Sequence, residues 1–249
     1  MRIALLTDFG TRDPYVAAMK GAIASRTEAP MFDLTHDIAP FAVFEAAWFL
    51  RAVAPYWRET VFVCVVDPGV GTSRRIVCVE SGDNRFLAPD NGLLHFIEGR
   101  AHVADESLKI GDSTTFHGRD RFAPIAAAIA NGAKPGDPID DLVHLDYREP
   151  TYGGDKVRGT IVAIDRFGNA ITDIERARVA FDAFAIGDID RLETNYGDAA
   201  PGAFLIVGST GHVEISMRNM NAAQHLQLSR GSRVELCRIE PPREKSSRR

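Results

Sequence analysis

Residues 61–75 read Val-Phe-Val-Cys-Val-Val-Asp-Pro-Gly-Val-Gly-Thr-Ser-Arg-Arg. The opening run, Val61 to Val66, is wholly apolar and rich in β-branched residues, as in a strand buried within a sheet. It ends abruptly at Asp67, and a glycine turn follows. A carboxylate at the carboxyl end of a buried strand, beside such a turn, is where open α/β sheets place their chemistry. Upstream, Met1 to Leu6 reads as another strand, ending in Thr7-Asp8-Phe9-Gly10. Tyr15 to Ser25 has helical spacing, with Tyr15, Ala18, Met19, Ala22 and Ile23 on one face. Phe32 to Leu34 is a short strand, and Phe44 to Val53 a helix. The alternation of strand and helix predicts parallel βαβ units with right-handed crossovers.

Downstream, Ile76 to Glu80 and the pair Phe86-Leu87 read as further strands, and Leu93 to Glu98 as a short helix. Ala123 to Ala130 reads as a buried helix, with the polar patch Phe116 to Asp120 at its N-terminal approach, where outward-pointing N–H groups favour anions. Gly132 to Asp141 and Glu149 to Asp155 are rich in Gly, Pro and Asp, which places a linker near Glu149–Lys156. Beyond it, Val157–Asp165, Ala170–Ile174, Ala203–Val207, His212–Ser216 and Ser232–Arg238 are strand-like, with turn residues between. The fold expected is α/β: an N-terminal open, mostly parallel sheet with flanking helices (1–150), then a smaller C-terminal β barrel or sandwich (157–240). The polar, basic residues 241–249 are expected to be a disordered tail.

The chain has 249 residues, 45% of them hydrophobic, enough for a sizeable core, and a net charge of −5 that argues against a nucleic-acid surface. The three cysteines, Cys64, Cys78 and Cys237, show no CxxC spacing and read as reduced thiols of a cytoplasmic protein. Ile3 to Leu6 is too short for the apolar core of a signal peptide, and no run approaches the ~20 apolar residues of a membrane helix. None of the seven histidines has HxxxH or HExxH spacing, so no metal is expected.

Several motifs look like chemistry and fail on inspection. Asp67 to Gly71 lacks the lysine of a Walker loop and the third glycine of a dinucleotide fingerprint. Asp8-Phe9-Gly10 spells a kinase metal motif, but seven preceding residues leave no room for the upstream kinase elements. What remains is Asp67, Arg74 and His117 as a candidate acid–cation–imidazole group, with Asp8 facing the same crevice or capping the helix that starts near Asp13-Pro14. Asp90-Asn91-Gly92 has the composition of a tight turn and is left out of the site. Asp165-Arg166-Phe167-Gly168-Asn169 follows a strand and reads as a hairpin turn.

Taken together and in this order, Thr7-Asp8-Phe9-Gly10, Asp67 to Arg75, Asp90-Asn91-Gly92, Phe116 to Pro124 and Asp165 to Asn169 resemble the S-adenosyl-L-methionine hydroxide adenosyltransferase family, relatives of the adenosyl chlorinases and fluorinases. The resemblance implies hydrolysis of S-adenosylmethionine to adenosine and methionine, with attack at ribose C5′ by water. It implies no cofactor, and a homotrimer with the ligand bound between subunits. It gives Asp67, Arg74 and His117 the role of a water-activating triad. In the fluorinase-like branch the first position is tyrosine and a serine follows the histidine position. Asp67 and Gly118 stand there in this chain, which argues for water rather than halide. The resemblance further implies that Asp8 holds the ribose hydroxyls, with Asp13 as a weaker candidate, and that Phe41 forms an aromatic wall beside the ribose. It gives Asp165 the substrate ammonium, Asn169 the adenine edge and Ser209 the methionine carboxylate. The fluorinase-type arginine beside that serine is Thr210 here. Ile215 to Ala223 resembles the family's adenine-flanking loop, in which Arg218 stands where the water-using branch tends to have asparagine. The competing readings are a halide-using adenosyltransferase, a non-catalytic adenosine or S-adenosylmethionine sensor, and a metal-dependent phosphohydrolase.

Overall fold

The computed structural model describes residues 1–240; the expected tail, 241–249, lies outside the described residues. The chain divides into two compact units, Met1–Asp146 and Tyr147–Arg249.

The first unit holds strands β1 (Arg2–Thr7), β2 (Met31–Thr35), β3 (Thr60–Val65), β4 (Ile76–Ser81), β5 (Asn84–Pro89), β6 (Arg100–Val103) and β7 (Asp137–Ile139), and helices α1 (Tyr15–Ala24), α2 (Val43–Val53) and α3 (Ala123–Ala130). They form one sheet in the order β2-β1-β3-β5-β4-β6-β7. β2, β1, β3 and β5 run parallel, whereas β4, β6 and β7 pair antiparallel, so only one side of the sheet follows the expected parallel pattern. The unbroken apolar strands are explained by burial on both faces. Ile3, Leu5, Val61, Val63 and Val65 pack in one core with Met19, Ile23 and α3. Ala4, Leu6, Phe62, Cys64 and Val66 enter a second core with Ala46 and Leu50 of α2.

Four local expectations need correction. Residues 93–98 form turns rather than a helix: His95 N–H bonds Gly92 and Ile97 N–H bonds Leu94, with no continuing ladder. The polar patch after Phe116 is not merely an approach to α3, because Gly118–Phe122 is a π-helical turn that runs straight into it. Neither Asp8 nor Asp13 caps α1, whose N-cap is Pro14 with no side-chain cap bond. The expected linker carries a strand, β8 (Thr151–Gly153), and the start of β9, both of the second unit.

The second unit continues with β9 (Lys156–Ile164), β10 (Ala170–Glu175), β11 (Phe184–Ile186), β12 (Leu192–Glu193), β13 (Ala203–Val207), β14 (His212–Met217), a single helical turn α4 (Ala222–His225) and β15 (Arg233–Arg238). Its sheet runs β11-β15-β9-β10-β14-β13-β12, with β8 beside β9. Val157, Ile161, Phe184, Leu205, Ile215 and Leu236 line its core.

One glycine joins the two loops that matter most. Gly71 has φ +82, and a Cβ there would lie 2.5 Å from the carbonyl oxygen of Thr114. The 67–75 and 113–117 segments therefore meet backbone to backbone. Gly10, at φ +66, has nothing within 4 Å of its notional Cβ. Gly10→Ala should cost only the left-handed strain of about 1 kcal/mol. Gly71→Ala should cost about 2–5 kcal/mol, because overpacking adds to the same strain. Thermal unfolding of the two variants checks this, and equal losses would contradict the backbone contact.

Candidate active site

Parallel pairing builds the site. Thr7 of β1 stands opposite Val65 of β3, so Asp8 and Asp67 leave the sheet side by side at its carboxyl edge. Both line a cavity of about 400 Å³, together with Phe41, Phe116 and His117.

Asp67, Arg74 and His117 form one connected chain. Arg74 Nε donates to both carboxylate oxygens of Asp67, at 2.9 and 3.0 Å, and Nη2 adds a further bond to Oδ2. Nη2 also lies 2.7 Å from Nδ1 of His117. The ion pair is buried, with side-chain exposures of 10% and 5%. The guanidinium sits over the ring of Phe122, 5.5 Å from its centroid, so the π turn that follows His117 supplies an aromatic platform.

This geometry fixes the tautomer of His117. A guanidinium can only donate, so Nδ1 must be the acceptor and the neutral ring carries its proton on Nε2. Two buried donors, Nη1 of Arg74 and Nε2 of His117, then have no acceptor among the described residues. Such groups call for a bound oxygen or anion. Burial first, then the charges of Arg121 and Arg74, hold the His117 pKa below its ordinary value.

Asp8 accepts a bond of 2.9 Å from the backbone N–H of Phe41, which engages Oδ2. Burial raises the Asp8 pKa most; the N–H groups of Phe41 and of Asp8 itself lower it, and nearby Asp67 raises it. Phe41 has φ 66, a left-handed conformation unusual for an aromatic residue, and the residue is 70% exposed. It is therefore not packed in the core. Asp13 is exposed and does not line the cavity.

The second unit holds a cavity of about 690 Å³, lined by Asp165, Asn169, Tyr196 and Arg218 among others. Asp165 Oδ1 accepts from the N–H groups of Phe167 and Asn169 at 2.9 and 2.8 Å, and its Oδ2 accepts from Asn169 Nδ2 at 2.8 Å. A carboxylate only accepts, so the amide nitrogen of Asn169 is turned toward it and the amide oxygen is turned away. Ser209 is not brought here. It is exposed in the β13–β14 turn, whereas the pairing of Ala170 with Ile215 sets the 165–169 turn at the other end of β14.

Residues outside the expected set hold the triad in place. Asn91 Nδ2 bonds the carbonyl of Val66, the residue before Asp67, at 3.0 Å. Asp90 holds Arg75, the neighbour of Arg74, and accepts the Val143 N–H at 2.9 Å. The Asp90-Asn91-Gly92 turn is thus a buttress under the 67–75 loop; the motif is visible in sequence, but its partners at Val66, Arg75 and Val143 are remote in the chain and nothing local names them. Asp120 similarly takes the N–H of Ser113 at 3.1 Å and orders the loop before His117.

Residues 3–138 match the model of the SAM hydroxide adenosyltransferase N-terminal domain, and residues 159–235 that of the C-terminal domain. The chain belongs to the SAM hydroxide adenosyltransferase family. It is 31% identical to an (R)-S-adenosyl-L-methionine hydrolase of Methanocaldococcus jannaschii, over 94% of this chain and 95% of that one. A protein of the same name from Thermus thermophilus is 34% identical, over 94% and 98%. Among solved structures, an uncharacterized conserved protein from Thermotoga maritima matches with a TM-score of 0.86 at 33% identity, covering 95% of this chain and all of that one. For this adenosyltransferase-family chain, the buttress carries its own expectation. Asn91→Ala strands the Val66 carbonyl and should lower stability by about 1–3 kcal/mol. Thermal unfolding measures it, and an unchanged midpoint would contradict the role.

Proposed function

We propose that the protein hydrolyses S-adenosyl-L-methionine to adenosine and L-methionine, with a triad-held water attacking C5′ of the ribose. The observation that carries the mechanism is the pair of buried donors on Arg74 and His117, beside a cavity that also contains Asp8. The sulfonium is already an activated leaving group, and methionine departs as a neutral thioether. The protein therefore need supply no acid for the leaving group and no Lewis acid. What it must supply is a positioned nucleophile.

Two N–H donors, one on a guanidinium, hold a water toward hydroxide character. Asp67 orients Arg74 and balances its charge. His117 acts as a donor through Nε2 and not as the base, because Nδ1 is engaged by Arg74. The C5′–O bond forms as the C5′–S bond breaks, and the positive charge of the sulfonium leaves as the water's proton, lost to solvent. An anionic Asp67 beside the nucleophile disfavours a halide in its place. Asp8, with Oδ2 taken by Phe41, offers Oδ1 to the ribose hydroxyls. The amide oxygen of Asn169 suits the exocyclic amine of adenine.

We propose further that the protein works as a homotrimer in the cytoplasm, each ligand held by two chains. Phe41 and Phe167, 70% and 78% exposed beside the two cavities, support this as surfaces that a neighbouring chain would cover.

Incubation of the purified protein with S-adenosylmethionine in ¹⁸O-labelled water, with chelator present, should yield adenosine labelled at the 5′-oxygen and no 5′-chloro product in molar chloride. Unlabelled adenosine, or a need for metal, would overturn the reading. His117→Ala should lower turnover about 10²–10⁴-fold with substrate binding largely kept. Protonating His117 removes the acceptor for Arg74 and adds a like charge. Activity should therefore be intact above the His117 pKa and fall on acidification, with a midpoint below the ordinary histidine value of 6.5. A pH–rate profile tests this, and an identical acid limb in His117→Ala would contradict it.

A further inference from the structure

Thr7, His36 and Asp33 form a second connected group in the first unit, and strand register brings them together. β1 and β2 are parallel, with Leu5 opposite Asp33 and Leu6 opposite Thr35, so Leu34 is an extra residue in β2. A bulge of this kind re-aims the residues beyond it, and here it sets His36 level with Thr7. The Thr7 hydroxyl lies 2.8 Å from Nδ1 of His36, and both residues are buried. Nε2 of His36 is 3.1 Å from Oδ1 of Asp33, close enough for attraction but not aligned as a hydrogen bond. Asp33 Oδ2 in turn accepts from Lys20 Nζ at 2.6 Å. A carboxylate beside Nε2 keeps a proton there, so in the neutral ring Nδ1 accepts the Thr7 O–H. The Thr7 oxygen also accepts the N–H of Phe9 at 3.3 Å. Hydroxyl, imidazole and carboxylate make the series of a nucleophilic triad. Thr7 is fully buried and lines neither cavity described above, so this group is a strut and not a reacting centre.

What the strut supports is the turn that carries Asp8. Thr7 and Phe9, the residues on either side of Asp8, both meet at the hydroxyl that His36 holds. The 36–41 segment closes on the same turn at both of its ends. The His36 carbonyl accepts the Gly10 N–H at 2.8 Å, and the Phe41 N–H donates to Asp8 Oδ2 at 2.9 Å. We infer that His36 is a positioning residue for Asp8, holding the 7–10 turn from its buried side so that the carboxylate meets both ribose hydroxyls in one orientation. This rests on the reading of Asp8 as the ribose partner. His36 does not itself line the cavity and acts only through the neighbours of Asp8. A carboxylate that accepts from two vicinal hydroxyls needs a defined rotation, and a loosened turn loses that pair of bonds before anything else.

The test measures, by calorimetry on the full-length protein, the affinities of adenosine and of 2′,3′-dideoxyadenosine, which lacks only the two hydroxyls. The wild-type protein should prefer adenosine about 10–100-fold, as expected for charge-assisted bonds to a carboxylate. In His36→Ala the preference should fall below about threefold, through weaker binding of adenosine alone, and KM for S-adenosylmethionine should rise more than kcat falls. His36→Asn, whose amide can reach Thr7 where Nδ1 does, should recover part of the preference. If His36→Ala does not fold, Asp33→Ala, at the exposed end of the strut, should lower the preference in the same selective way. Equal weakening of both nucleosides would make the strut a general support and overturn the inference, as would an unchanged preference. A wild-type protein that does not distinguish the two nucleosides would overturn the reading of Asp8 and this inference with it. One that distinguishes them but does not turn over S-adenosylmethionine would overturn the proposed reaction and leave the role of His36 to be decided by the variants.

Discussion

Arg74 is the group around which the first unit is arranged. A buried guanidinium is expensive to desolvate and is tolerated only where its charge and its donors are answered. Asp67 answers the charge with paired bonds, Phe122 lies under the plane, and His117 accepts a further N–H. The partners arrive from separate stretches of chain: Asp67 from just after β3, His117 from the residue before the π turn and Phe122 from its last position. That requirement explains features which otherwise look incidental. The π turn widens the helix start by one residue and lets His117 and Phe122 both address the arginine. π turns recur at functional sites for this kind of reason. Gly71 permits the two loops to touch, and the Asn91 amide ties the strand end beneath them.

Much of this was legible in the sequence, and for identifiable reasons. Ile3 to Leu6 of β1 and Val61 to Val65 of β3 are apolar throughout because both faces of the sheet are covered, and such runs stand out against any background. The polar residues that end them are equally plain. Asp67, Arg74 and His117 lie together as the motifs implied, and so do Asp165 and Asn169. Less was legible where tertiary contacts decide. Leu93 to Glu98 has apolar residues at helical intervals, yet Leu93 and Leu94 are pinned in the core beside α2 and the segment turns too tightly to continue. β6 and β7 are short, and their pairing is set across the sheet rather than within their own residues. Ser209 shows the limit of a short motif: its sequence neighbourhood is right, but strand register carries it to the other end of the hairpin.

Under the proposed reaction the two units have separate roles. The first carries the groups that would face the reacting carbon and the ribose, held just after strand ends, in the 67–75 loop and at the π turn. The second carries groups suited to the polar ends of the ligand, on the turns of a β sheet. Rigid support for the nucleophile and adaptable turns for specificity is a sensible partition, since positioning errors of an ångström are costly only at the reacting atoms.

The central claim is that His117 is a neutral donor, locked as the Nε2–H tautomer by Arg74. ¹⁵N NMR of histidine-labelled protein measures this directly, with the resonances of His117 assigned by its substitution. At neutral pH the account predicts a pyridine-type Nδ1 and a pyrrole-type Nε2, with the preference weakened when Arg74 is replaced by methionine. An imidazolium at neutral pH, or a proton on Nδ1, would contradict it.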